Sequence, residues 1–425
     1  MTADERRERS SPDVAPRTWR EPARELTVIG RPDVLVVGAG SAGIAAAVAA
    51  ARRGADVWLV ERYGFVGGLA TFGLINLLLT LDDGCGTQVV AGLCQEMVDR
   101  LNASGDARFP PREQWGSTNP ADVERWRTWG LIWGAPPDVV RYSVAFDPEA
   151  FCDVSFDALR DAGVRIRMHS WCAHAYTIDG SIGAVVLESK RGRQVVQPRV
   201  VIDASGDGDV MVAAGASAET VAIPPWLWFR VGGIHDDIDD GEDIGFRTTA
   251  AGRRLVPWGP LPRRVDATDP DDLTAAELEC RDEARAEVAR IRERHPGAWL
   301  DDIAKMIGIT ESRRLVGDYV LEKSDGDHRF ADAIARTGHW TKREVVYDIP
   351  YRCLTTARVS NLLVTGRCIS TSRYVHQATK EIPAAMATGE AAGAAAVHAL
   401  AHGGRVHAVD VDALRRDLAG AGAIV

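Results

Sequence analysis

Between residues 370 and 381 the chain crowds Arg373, Tyr374, His376, Gln377, Lys380 and Glu381 into one short stretch. An imidazole exchanges protons near neutral pH, so His376 is the first acid–base candidate, and the cations of Arg373 and Lys380 suit a carboxylate or another negative charge. A buried structural imidazole and ordinary ion pairs are the plainer readings of the same three residues. A second set is built on glycine: Gly38, Gly40 and Gly43 form a G-x-G-x-x-G run, and Glu61 follows 23 residues after Gly38. In such a run the first glycine permits a tight turn, the second lets backbone approach a diphosphate, and the third lets a helix pack on its strand. An acidic residue at the spacing of Glu61 is placed to accept hydrogen bonds from a ribose diol.

These residues need elements to hold them. Residues 33–37 (DVLVV) are an apolar run without alternation, which predicts a parallel strand covered on both faces. The Ala-rich residues 41–53 predict a helix stopped by Gly54, and residues 56–60 predict a second buried strand ending at Glu61. Together they make a βαβ unit with the glycine run in its first turn. A helix over 146–162, a strand over 164–168, a hairpin over 183–197 and a strand over 199–202 follow, the last running into DASGDGD at 203–209. The return comes with a strand over 361–365, an irregular loop, an Ala-rich helix over 383–400 and a short helix over 411–418. The fold class is α/β, a Rossmann-like nucleotide-binding domain with an inserted α+β cap or substrate domain. Residues 1–25 read as a flexible tail; 26–75, 146–214 and 346–425 form the discontinuous nucleotide domain, and 76–145 with 215–345 form the cap. In the cap, a helix over 274–295 starts at a Thr274–Glu277 capping box. Trp226 and Trp228 read as core or as one wall of a substrate pocket.

The run DVLVVGAGSAGIAAAVAAARRGADVWLVERYGFVGGLAT, with VVIDASGDGDVMVAAGA, ESRRLVGDYVL, YDIPYRCL, NLLVTGRCIS and IPAAMATGEAAGAAAV in that order, resembles the FAD-dependent oxidoreductase family of glutathione-reductase-like flavoproteins. That family is related to the fumarate reductase and succinate dehydrogenase flavoproteins. The resemblance implies FAD and not NAD as the bound dinucleotide. Carried over residue by residue, it implies that Gly38, Gly40, Ser41, Ala42, Gly43, Glu61 and Arg62 hold the adenosine diphosphate half. Gly67, Gly68, Leu69, Ala70 and Thr71 then pass beside the diphosphate and flavin. Asp203, Ala204 and Gly206 form a second contact, and Gly366, Arg367, Ile382 and Ala385 a third. It also places the N-terminus of the helix at Pro383 beside the flavin. Because Gly67-Gly68 is followed by Leu69-Ala70 and not by His, the FAD is expected to be non-covalent. The family pattern commonly has His near Arg373 and Arg near Lys380; this chain departs at both, which implies a different substrate arrangement. The implied reaction moves a hydride from a small organic metabolite to flavin N5, with oxygen, a quinone or a partner as acceptor. A flavin-dependent reductase of an activated double bond and a non-catalytic flavin-binding regulator are the alternatives.

Composition narrows the partners. A formal net charge of -10 disfavours nucleic acid and acidic membrane surfaces. No apolar stretch approaches the roughly 20 residues of a membrane span, and the N-terminal segment has no secretory pattern, so the expected location is the cytoplasm. Seven cysteines without a CxxC pair argue against a disulfide framework and a zinc site, so no metal is expected. The expected partners are a small-molecule substrate and, in some form, a second copy of the chain in a homo-oligomer.

Overall fold

The computed structural model describes residues 18–134, 136–234, 244–257 and 263–425, so most of the segment read as a tail lies outside the described residues. The elements that position the site are, in chain order, β1 (Val34–Val37), α1 (Ser41–Arg52), β2 (Val57–Val60), α2 (Leu93–Ser104), α3 (Pro148–Asp161), β3 (Arg165–Arg167), β4 (Val200–Asp203), α4 (Pro270–Arg294), β5 (Leu362–Val364), α5 (Arg373–Thr379), α6 (Ile382–Leu400) and α7 (Val411–Gly420).

The five strands make one parallel sheet in the order β5-β4-β1-β2-β3, in register from Val34 opposite Val57 to Val37 opposite Val60. Every residue of β1, β2, β4 and β5 is buried, which is why these strands show no polar alternation. The face carrying α1 and α6 is unusually tight. A Cβ on Gly389 would lie 2.1 Å from the Ala42 carbonyl oxygen, and one on Gly393 would lie 2.2 Å from that of Ala46. Small side chains thus let the two helix backbones meet, as the Ala/Gly composition of both helices predicts. The other face is covered by a four-stranded sheet ordered Thr27–Gly30, Gly192–Val196, Ser181–Ser189, Trp171–Ile178.

A second core joins two distant stretches of chain. Leu74, Leu77 and Leu79 with Val123, Trp126 and Leu131 pack against Ile223, Leu227, Leu255, Ala276 and Ile307. Beside it, α4 lays Ala284, Val288 and Ile291 on an antiparallel sheet that contains Phe229–Gly232, Arg253–Val256 and Trp299–Ile303. Among the described residues no helix is long and apolar enough to cross a membrane, and no group of three His, Cys, Asp or Glu could hold a metal.

Three local expectations are corrected. Helix α4 begins four residues before Thr274: Asp269 caps it by accepting from the Asp271 and Asp272 N–H groups, with Pro270 in the first turn. Thr274 instead donates to the Pro270 carbonyl, and Glu277 accepts from the Ile307 N–H in the loop opposite. The supposed irregular loop near 373 holds α5, whose inner side buries Val375, His376, Ala378 and Thr379. The hairpin gains a third strand at Trp171–Ile178, a segment that is mostly exposed and so lacks the pattern of a buried strand.

Candidate active site

At the end of β1 the chain turns through Gly38 with φ +100°, and a Cβ there would come within 2.4 Å of the Ala204 carbonyl oxygen. Gly43, one turn into α1, faces inward: its Cβ would lie 1.8 Å from the Gly38 oxygen, so it serves helix–strand contact and does not touch the groove. Gly40 is the opposite case. It has an ordinary φ of -70° and nothing within 4 Å of a Cβ, because that side is open. As N-cap of α1 without a side-chain cap, it leaves the first-turn amides and the positive end of the helix dipole to an anion. The Gly67-Gly68 loop lies alongside. Its Gly67 N–H donates to the Ala39 carbonyl at 2.8 Å, and its two positive φ angles of +101° and +59° demand glycine.

Glu61, buried at the end of β2, accepts from the Ala39 N–H at 2.7 Å and the Tyr63 N–H at 3.0 Å. Each carboxylate oxygen keeps a second lone pair for a diol. Beside it a recess is lined by Ser170, Trp171 and Cys172, residues that the sequence reading missed. The Arg62 guanidinium lies 5.0 Å from the Tyr63 ring centroid, 5.1 Å from that of Trp171, and 3.8 Å from Asp207. This recess has the flat cationic and aromatic wall that suits an adenine.

One groove runs from there to the start of α6. Gly38, Gly40, Ser41, Ala42, Glu61, Arg62, Gly67, Gly68, Leu69, Ala70, Ala204, Gly206, Gly366, Arg367, Ile382 and Ala385 all line it, joined by Tyr63, Ser205, Met306, Thr365 and Lys380. Two further residues read as cofactor contacts act from behind. The Thr71 hydroxyl donates to the Val66 carbonyl at 2.8 Å and fixes the glycine loop. Asp203 is fully buried and accepts from the Ser205 N–H, the Ser205 hydroxyl and the Met211 N–H, so its carboxylate shapes the turn after β4 and does not reach the groove. Arg367 donates to the Gly206 carbonyl at 2.5 Å and to Asp207 at 2.9 Å. Burial opposes the charge of Arg367, but Asp207 and its neighbours hold the guanidinium pKa above its usual value. Burial, with Asp203 and Asp207 nearby, pushes Asp209 up to about 6.

A cavity of about 550 Å³ adjoins the far end of the groove. Leu69, Arg367, Lys380 and Ile382 line both spaces. Around the rest of the cavity stand Trp133, Trp226, Trp228, Phe246 and Trp340, so Trp226 and Trp228 are both core neighbours and pocket wall. Lys380 sits 3.4 Å from Glu381, the N-cap of α6, and 6.0 Å from the centroid of Trp340. Burial raises the Glu381 pKa against the pull of Lys380.

Of the three polar residues singled out between 370 and 381, Lys380 alone lines these spaces. Arg373 is half exposed, with its guanidinium 3.7 Å from Glu311. His376 is fully buried and lines neither the groove nor the cavity, and neither ring nitrogen has a hydrogen-bond partner. Burial first, then the cations of Lys380, Arg314 and Arg367, hold its pKa well below the usual imidazole value. The nearest carboxylate, Glu311, is 4.0 Å away. This is the environment of a neutral interior imidazole.

Solved structures with similar folds include a geranylgeranyl bacteriochlorophyll reductase-like protein from Thermoplasma acidophilum (14% identity, TM-score 0.47, covering 93% of this chain and 84% of that one). An L-amino acid deaminase from Proteus vulgaris gives 14%, 0.45, 90% and 93%, and a myxobacterial chondrochloren halogenase 13%, 0.48, 91% and 78%. At such values these likenesses decide neither substrate nor reaction. No curated protein matches the chain. The sequence pattern of the FAD dependent oxidoreductase family matches residues 33–259 and 244–418, nearly the whole of the two-core structure. The chain therefore belongs to the FAD dependent oxidoreductase family, and FAD is its cofactor.

Proposed function

We propose that this oxidoreductase, of glutathione-reductase type, removes a hydride from a small organic metabolite held in the aromatic cavity. The observation that carries the reading is the junction: the nucleotide groove and the cavity share Leu69, Arg367, Lys380 and Ile382. Bound FAD supplies a two-electron acceptor there.

The chain's own groups have separable tasks. Gly40 and the first turn of α1 receive the diphosphate, and Glu61 receives the ribose hydroxyls. The N-terminus of α6, with Pro383 in its first turn and no side-chain cap, directs its free amides and positive dipole end at negative charge gathering by Ile382 and Ala385. Of the two cations at the junction, Arg367 is engaged with Gly206 and Asp207, and Lys380 orients a substrate oxygen or carboxylate there. Trp133, Trp226 and Trp340 exclude water around it. Non-covalent attachment is supported by Leu69 and Ala70 lining the groove after Gly67-Gly68, with no histidine at that step.

Anaerobic mixing of the yellow protein with candidate metabolites tests the direction of the reaction. Bleaching of the flavin is expected. In Lys380→Met bleaching slows at least about tenfold, the scale of a lost charge-assisted contact, with FAD content unchanged. Chemically reduced protein that is reoxidised by the metabolite, with no bleaching, overturns the proposed direction. Wild-type bleaching by Lys380→Met removes the lysine from the site.

A further inference from the structure

The walls of the cavity specify what it holds. Trp133 stands edge-on to Phe246, with centroids 5.6 Å apart and planes at 76°, and edge-on to Trp340 at 5.6 Å and 70°. The three rings thus form a corner in which a flat aromatic molecule gains both stacked and edge contacts. Two of these indoles have their N–H groups satisfied by the chain: Trp133 donates to the Gly130 carbonyl at 2.5 Å and Trp340 to the Gln377 carbonyl at 2.9 Å. Trp228 differs. It is 8% exposed, it lines the same cavity, and its indole N–H is buried with no hydrogen-bond partner. That N–H has no accessible surface of its own, so Trp228 offers the cavity its ring and not its donor.

We infer that the cavity is built for a planar aromatic substrate of at least two fused rings bearing a carboxylate, with the corner of Trp133, Phe246 and Trp340 taking the rings and Lys380 the carboxylate. Sugars and short hydroxy acids leave the aromatic corner unfilled. A straight aliphatic chain fills it without the stacking term. A volume of about 550 Å³ accommodates a bicyclic or tricyclic molecule, within the roughly 300–1,000 Å³ usual for small-ligand sites. Lys380, at the junction with the groove, complements a carboxylate on such a ring system. This inference rests on the proposed function in one respect only, that the occupant of the cavity is the substrate.

The test is equilibrium binding of 2-naphthoate to the FAD-saturated protein, followed by both tryptophan fluorescence and the visible flavin spectrum, with decanoate and choline as comparisons. Saturable binding of 2-naphthoate at least about tenfold tighter than decanoate is expected, with a perturbed flavin band. Trp340→Leu, a change in the corner, should weaken 2-naphthoate and spare decanoate. Equal binding of naphthoate and decanoate, preference for choline, or wild-type naphthoate affinity in Trp340→Leu overturns the inference while a yellow, reducible protein leaves the proposed function standing. Tight naphthoate binding to protein whose flavin no metabolite bleaches keeps the aromatic site but defeats the proposed function, and with it the reading of the occupant as substrate.

Discussion

The second and third glycines of the run separate binding from folding. At Gly43 an added Cβ would lie 1.8 Å from the Gly38 oxygen, a backbone atom that cannot swing aside. Overpacking of this kind costs roughly 1–3 kcal/mol or more, and alanine's helix propensity returns only about 1 kcal/mol. Gly43→Ala should therefore destabilise the apoprotein by about 2 kcal/mol, which corresponds to a fall in Tm of roughly 4–8 °C for a cooperative unit of about 200 residues. Gly40→Ala is the mirror experiment. The position has φ -70° and ψ 177°, and no protein atom lies within 4 Å of the new methyl group. The loss of a glycine N-cap and the lower entropy of the unfolded chain roughly offset, so apoprotein stability should change by less than about 1 kcal/mol. The methyl group instead occupies the space a diphosphate must enter, and FAD affinity should drop at least about tenfold. Urea unfolding of both apoproteins and FAD titration by flavin-fluorescence quenching read the two quantities separately. Wild-type FAD affinity in Gly40→Ala, or unchanged stability in Gly43→Ala, refutes the assignment of one glycine to the ligand and the other to packing.

Further predictions concern carboxylates and the interior imidazole. Glu61→Gln keeps the shape of the side chain but loses charge at the diol, and should raise the Kd for FAD by about tenfold; an unchanged Kd in calorimetry would place the ribose elsewhere. Glu390, in the middle of α6, is 3% exposed and accepts from the Leu93 N–H at 2.8 Å. Burial pushes it up to about 7 from an ordinary 4.5. The folded state then holds this proton more tightly than the unfolded chain does, so its contribution to stability is present at low pH and is lost as pH rises from about 4.5 to about 7, by up to ~3 kcal/mol. Glu390→Gln should flatten the fall in urea midpoint between about pH 5 and about pH 8; an unaltered profile would show that the carboxyl is already ionised. His376→Leu removes two buried nitrogens that have no partner, and should leave stability unchanged or raise it by about 1 kcal/mol with flavin bleaching intact. Loss of bleaching with FAD retained would restore His376 as an acid–base group.

How far the sequence could be read followed the range of the forces involved. The βαβ unit was legible because local features all agree there: an apolar run, three glycines with distinct steric reasons, a small-residue helix and Glu61 at the next strand end. The groove residues followed from that unit and from the family resemblance. Asp203 was read as a ligand contact because its segment matches the family, yet three donors from Ser205 and Met211 surround it, contacts that a sequence does not display. His376 was attractive for its chemistry; its burial depends on α5, a helix of seven residues, too short for its apolar positions to show a helical period. The start of α4 was misplaced because Thr274 and Glu277 mimic a capping box while Asp269 is the actual N-cap, with Pro270 in the first turn. The aromatic cavity was the least accessible feature. Trp133, Trp228, Phe246 and Trp340 come from separate stretches of chain, and only tertiary packing brings them together.

The most direct measurement of the central claim is a crystal structure of the protein with FAD bound. The account predicts diphosphate oxygens within hydrogen-bond distance of the first-turn amides of α1 beside Gly40, ribose hydroxyls on Glu61, and the flavin ring at the junction formed by Leu69, Arg367, Lys380 and Ile382. A cofactor whose diphosphate lies away from Gly40, or whose ring turns away from the aromatic cavity, would contradict it.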